Sequence, residues 1–106
     1  MDKSQKQCHV FDTSQNKWND RKVPELEQGR HSHSNCFVGN AVYVIAGFDS
    51  GCNLNTIERL ELRSANDAPI PYESAMWELI QVDSFQPCVR PLVSPLGSDE
   101  FLIFGG

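Results

Sequence analysis

A chain of 106 residues and 11.9 kDa has room for one small domain, and its 40% hydrophobic and 22% charged residues exclude wholesale disorder. Acidic residues outnumber basic ones by 14 to 9 for a net charge of −5, with no basic stripe to neutralise a phosphate backbone, so no nucleic-acid partner is expected. No run approaches the roughly 18 apolar residues that cross a bilayer, and residues 1–7 lack the apolar core of a secretory signal; the expectation is no membrane partner and, by default, a cytoplasmic or nuclear address, of which the cytoplasmic one is taken.

In chain order, residues 7–13 read as a short strand, and the polar turn Ser14-Gln15-Asn16-Lys17 leads to a brief strand around Trp18. Pro24 and Gly29 punctuate a loop over 22–29 that has no periodic apolar pattern. His33 to Val38 is the next strand. Gly39-Asn40 reverses the chain into 41–47, a hairpin even though Asn-Gly is the more favourable order. Val42 to Ile45 is an unbroken β-branched and aromatic run, as expected of a strand covered on both faces where sheets stack.

Residues 48–55 form a loop rich in Gly, Asp, Ser and Asn. Thr56 to Leu62 alternates, with Ile57, Leu60 and Leu62 apolar; the spacing also fits a short helix, but the β-branched start and the preceding hairpin favour a strand. The stretch 63–74 is polar, broken by Pro69 and Pro71, and reads as exposed loop. A strand over 76–80, a Pro-containing strand near 89–93, a turn at Gly97-Ser98-Asp99 and a strand over 100–104 complete the chain. Many short strands joined by turn residues, without a clear crossover helix, predict an all-β antiparallel sandwich, barrel or propeller.

The chain also repeats itself. Trp18 and Trp77 are 59 residues apart, as are Gly47 and Gly106, and Val42-Tyr43-Val44-Ile45-Ala46-Gly47 returns as Phe101-Leu102-Ile103-Phe104-Gly105-Gly106. Phe11 and Leu60 are 49 residues apart; Asp12 reaches Trp18 in six steps while Glu61 takes sixteen to reach Trp77, so ten extra residues lie between the last two strands of the second unit. Units of this length cannot bury their own apolar faces and stack into arrays. A period of about 50 selects a propeller with four strands per blade. On this reading Trp18 and Trp77 are packing residues between blades.

These positions resemble the kelch repeat. Arg30 and Arg90 sit where that family opens a unit with Arg, Ala46-Gly47 and Gly105-Gly106 where it places paired glycines, Phe11-Asp12 and Leu60-Glu61 at its Tyr-Asp pair, and Trp18 and Trp77 at its Trp. The phrase Asn55-Thr56-Ile57-Glu58-Arg59 is similar to its third strand. The departures (Ala46 for a glycine, Leu60-Glu61 for Tyr-Asp, Pro91 after Arg90) mark diverged repeats. The resemblance implies four-stranded antiparallel kelch-type β-propeller blades in an incomplete ring. Residues 1–24 would be the last two strands of one blade, 25–80 a complete blade with an insertion at 63–74, and 81–106 the first half of the next.

Function is less legible. Such propellers bind proteins through the loop between the second and third strands and the loops between blades, which implies a surface of Asp49, Ser50 and Asn53 with Glu25, Glu27, Gln28 and Arg30. Its acidic bias favours a basic patch on the partner. His31 and His33 join the candidates: at i and i+2 on a strand they point the same way. They read as structural or partner-binding groups, or as two of the ligands a metal would need, with His9 the only further histidine. The repeated arginines read as loop anchors, with Arg30 also a candidate for partner contact.

Four cysteines (Cys8, Cys36, Cys52, Cys88) are spaced 28, 16 and 36 apart, with no close pair for a zinc site, so reduced thiols and no metal or cofactor are expected. The leading expectation is a non-enzymatic protein-interaction module, a propeller scaffold or, by family analogy alone, the substrate-recognition part of a ubiquitin ligase. The alternatives are a kelch-like oxidase or isomerase, although no Ser-His-Asp, paired-carboxylate or metal-ligand spacing supports one, and a fragment without a function of its own. One whole and two half blades also predict either a longer protein or strand exchange between copies.

Overall fold

The computed structural model describes residues 4–19, 23–64, 66–71, 74–82 and 85–105. These form ten strands: β1 (Val10–Asp12), β2 (Lys17–Asn19), β3 (Ser34–Val38), β4 (Ala41–Ile45), β5 (Phe48–Asp49), β6 (Cys52–Asn53), β7 (Thr56–Glu61), β8 (Trp77–Gln81), β9 (Leu92–Leu96) and β10 (Glu100–Phe104). β3, β4, β7 and β8 make one four-stranded antiparallel sheet in that order, and β1–β2, β5–β6 and β9–β10 are separate hairpins. The domain is all-β, its central sheet resembles a propeller blade, and among the described residues no sheet closes into a ring.

The alternation of side chains across the sheet places the core. Val42 and Val44 turn to one face with Leu60 and Trp77, where they pack with Leu26 and Ala75. Tyr43 and Ile45 turn to the other with Cys36, Val38 and Ile57. The run from 42 to 45 is thus apolar throughout because each face has its own cover. The second face is closed by β9–β10 through Val93, Phe101 and Ile103; the first is closed by Leu26, Cys8 and the chain after β7.

Local chemistry sets the turns. Gly39 has φ 63 and Asn40 a negative φ, the pattern of a type II′ turn, in which glycine comes first. Between β1 and β2 the Asp12 carboxylate accepts bonds from Ser14 N (2.8 Å), Ser14 Oγ (2.6 Å) and Gln15 N (3.1 Å), and these bonds, the Ser14 hydroxyl foremost, lower its pKa.

The structure departs from the sequence reading in two places. The loop over 48–55 contains the short β5–β6 ladder, Phe48 opposite Asn53 and Asp49 opposite Cys52. The Pro-containing strand is β9 at 92–96, with Pro95 opposite Phe101, because the backbone before it is tied to the segments that lead into β7 and β3 instead: Cys88 bridges Leu54, and Arg90 N bonds to Ser32 O at 2.7 Å. The described residues of the insertion are mostly exposed and belong to no strand, and the stretch is tied back near its start. Arg63 bridges Pro69, Ile70 N bonds to Leu62 O at 2.9 Å, and Leu62 and Ile70 pack on the Leu60–Trp77 side of the core. Ala65, Tyr72 and Glu73 of that stretch lie outside the described residues, as does Gly106 of the repeat.

Candidate functional site: the polar end of the central sheet

One end of the central sheet, where β3 and β7 begin and β4 ends, gathers the chain before β3, the β4–β7 connection and the chain between β8 and β9. The structural centre of this end is an ion pair with no solvent exposure. Arg30 is 1% and Glu58 0% exposed, with Arg30 Nη2 2.8 Å from Glu58 Oε2. Arg30 Nη1 donates to the carbonyls of Ala46 (2.8 Å) and Thr56 (3.2 Å), and Nη2 also donates to Thr56 Oγ1 at 3.2 Å. The Glu58 carboxylate further accepts the amides of Glu27 (2.6 Å) and Gln28 (3.0 Å), and Thr56 Oγ1 donates to Gln28 Oε1 at 3.0 Å. A buried charge left alone is strongly unfavourable, so the pair persists because each partner also satisfies backbone groups of a different segment. The network pins the chain at 27–30 to β4 and β7.

On this anchor stands a polar rim. His31 and Phe48 exchange two backbone bonds (3.1 and 2.9 Å), and their rings are 5.3 Å apart. Phe48 is opposite Asn53 across β5–β6, so His31, Phe48 and Asn53 lie side by side, His31 through an isolated bridge to β5. Asp49 is half-buried; Ser50 at the hairpin tip is exposed with φ 53, and its Oγ donates to Asp49 Oδ1 at 3.3 Å. Ser4 Oγ donates to Phe48 O at 3.3 Å from the N-terminal segment.

Gly47 explains how tightly this end is packed. A Cβ on Gly47 would stand 2.7 Å from the His31 carbonyl oxygen, and its φ is 108, so the position excludes every side chain. Its neighbour Ala46 has φ 59, a left-handed conformation that a glycine would adopt without strain. The paired-glycine signature is thus a demand of backbone geometry here, and Ala46 meets it under strain.

The six candidates for partner contact divide. His31, Asp49, Ser50 and Asn53 come together on the rim. Arg30 does not join them at the surface, because its guanidinium is spent inside on Glu58, Thr56 and Ala46. His33 is exposed, but His31 and His33 precede β3 and Ser32 between them has φ 56, so the strand alternation that would point both rings one way does not apply. Partial desolvation, then the charges of Arg30 and His31, lower the His33 pKa. Of the flanking candidates, Glu25 and Glu27 are exposed, while Gln28 is half-buried and committed to Thr56.

The repeat positions divide in the same manner. Trp77 is 7% exposed and its indole N–H donates to Pro24 O at 3.0 Å, whereas Trp18 is 68% exposed, edge-on to Phe11 at 5.1 Å. Arg90 is exposed with φ 49, and Gly105 has φ 78 with open space around it. The four thiols are free, and burial pushes those of Cys8 and Cys88 up. Among the described residues no three His, Cys, Asp or Glu side chains are grouped to hold a metal.

Sequence reasoning missed Glu58 as the partner of Arg30 and missed Leu26 as core. A signal for the first was present: Thr56, Glu58 and Leu60 share one face of an alternating strand, and a carboxylate on a core-facing position demands a buried cation. Leu26 left no such trace, since a single apolar residue in a loop has no period.

Compared with known proteins, residues 29–65 match the family model of the Kelch motif, a stretch that runs from just before Arg30 through β3, β4, β5, β6 and β7. No curated protein and no solved structure matches the chain. The chain therefore carries one partial kelch motif, and the sheet built around it is a kelch-like blade.

Proposed function

We propose that this chain, which carries a kelch motif at residues 29–65, is a protein-interaction module that presents the rim at the polar end of its blade. The observation that carries this reading is the joining of His31, Phe48 and Asn53 by backbone pairing beside the buried Arg30–Glu58 pair. Rigid strands holding adaptable polar loops are a general design for recognition. The rim offers Asp49, Ser50 and Asn53, and the exposed carboxylates Glu25 and Glu27 stand a few residues before His31, so a basic partner surface fits best. Further blades around this one would make it a propeller scaffold or a substrate-recognition domain. The cytoplasmic address is part of the same reading, on the strength of the sequence alone.

The test is a comparison of proteins captured from the source cells by three forms of the chain. A genuine rim partner binds the unaltered chain, is lost with Asp49→Lys combined with Asn53→Ala, and is kept when Asn66→Ala alters the opposite end. Equal capture by all three forms sinks the assignment of the rim.

A further inference from the structure

The end of the central sheet opposite the polar rim holds a second concave feature. There β3 stops, β4 starts, and the Gly39-Asn40 turn meets the Gly97-Ser98-Asp99 turn of the β9–β10 hairpin. The approach is close, since a Cβ on Gly39 would stand 3.0 Å from the Ser98 carbonyl oxygen. Between the two turns lies a cleft of about 210 Å³. Its lining joins the rings of Tyr43 and Phe101, with centroids 5.2 Å apart, to Asn40, Ser98, Asp99 and Glu100.

The Tyr43 side of the cleft is held in place by its neighbours. The Tyr43 hydroxyl accepts a bond from Arg59 Nε at 3.2 Å, and Arg59 in turn reaches Glu61 (3.5 Å) and Glu78 (3.9 Å). Asn40 Nδ2 donates to Glu61 Oε1 (3.4 Å) and to the Arg63 carbonyl (2.8 Å). The charge balance leans one way. All four lysines precede residue 23, and after residue 30 the only Lys or Arg side chains are Arg59, Arg63 and Arg90. Arg59 and Arg63 are ion-paired, to Glu61 and Asp67, and Arg90 belongs to the polar end through its backbone bond to Ser32. Asp99 and Glu100 are exposed, and among the described residues no cation pairs with either.

We propose that this cleft receives an arginine side chain of a protein partner. Its volume falls below the roughly 300–1,000 Å³ of sites for drug-sized ligands and cofactors, and suits one long side chain. A cation within about 6 Å of the face of Tyr or Phe is attracted by the ring quadrupole. The two unpaired carboxylates beside the rings supply the complementary charge. A guanidinium fits this lining better than an ammonium: it is planar, stacks on aromatic rings, and spreads five donors in a fixed fork that carboxylates and a turn carbonyl can share. The cleft is separated from the rim by the length of the sheet, so the proposal does not depend on what the polar end binds.

The test is a titration of the isotope-labelled chain with the peptide acetyl-Gly-Arg-Gly-amide, followed by backbone amide chemical shifts. The expected result is saturating shifts at Gly39, Asn40, Ser98, Asp99 and Phe101. Asp99→Asn combined with Glu100→Gln, at two exposed positions, should weaken binding about fivefold to tenfold. Glu25→Gln combined with Glu27→Gln removes the same charge elsewhere and should leave the titration unchanged. Shifts that never saturate overturn the proposal, as do equal losses in the two double variants, which would mean attraction to net charge alone. The peptide with citrulline in place of arginine, similar in shape but uncharged, should not bind, and the lysine peptide should bind more weakly. Equal binding by the lysine peptide overturns the assignment to arginine.

Discussion

Trp77 and Trp18 hold similar places in two antiparallel strand pairs, opposite Leu60 and opposite Phe11, yet one is 7% and the other 68% exposed. The difference is in the neighbours. Around Trp77 the chain supplies Leu26, Val44, Ala75 and the Pro24 carbonyl; Trp18 has the edges of Phe11 and His9. Arg30 and Arg90 repeat the lesson. Arg30 is sealed against Glu58, a residue of β7, and Arg90, just before β9, is exposed. Strand register thus dictates where a side chain is placed, and the chain packed opposite decides what that placement is worth.

The sharpest way to break this comparison is to remove the buried pair. Glu58→Ala leaves the Arg30 charge and the amides of Glu27 and Gln28 without their acceptor, and should cost about 3–5 kcal/mol in urea unfolding. Arg90→Ala should stay within about 0.5 kcal/mol. Equal effects would mean that the two arginines are not differently used. Gly47→Ala comes next, at about 2–3 kcal/mol, from the contact with the His31 carbonyl and the left-handed backbone.

Replacing the tryptophans one at a time sharpens the contrast further. Trp77→Phe should cost about 2 kcal/mol through the lost bond to Pro24 and the lost volume, and Trp18→Phe less than about 0.5 kcal/mol. The chain retaining only Trp77 should fluoresce further to the blue and resist acrylamide, and the reverse order would sink the assignment.

Acid gives a smaller signal. The folded-state pKa of His33 lies below its unfolded value, so the unfolded chain takes up the proton more readily. Its contribution is therefore whole above the ordinary value of 6.5 and is lost as pH falls through 6.5 toward the lower folded value. His33→Gln should flatten the stability profile in that window, and an unchanged slope would assign it to other groups. The smallest effect carries the opposite sign: Ala46→Gly should stabilise by about 0.5 kcal/mol, the relief of a left-handed alanine reduced by the greater freedom of unfolded glycine.

Much of the blade was readable from residue order. The unbroken apolar run at 42–45, the reversal at Gly39-Asn40 and the alternation after Thr56 correspond to β4, its turn and β7. The candidate rim was readable only in part. Asp49, Ser50 and Asn53 lie close together in sequence and stay together, but Arg30 belongs to the interior because its partner is 28 residues away. Ser32 spoils the expected alignment of His31 and His33 by adopting φ 56, which no residue type announces.

By itself the sequence determined the strands of the central sheet and its antiparallel hairpin at Gly39-Asn40, because these follow from side-chain alternation and turn residues within a few positions. Tertiary structure alone decided that Glu58 seals Arg30, that Leu26 and Ile70 close the core, and that Trp77 is covered while Trp18 is not. Burial is a property of what lies opposite a residue, and what lies opposite is supplied by chain far away in sequence.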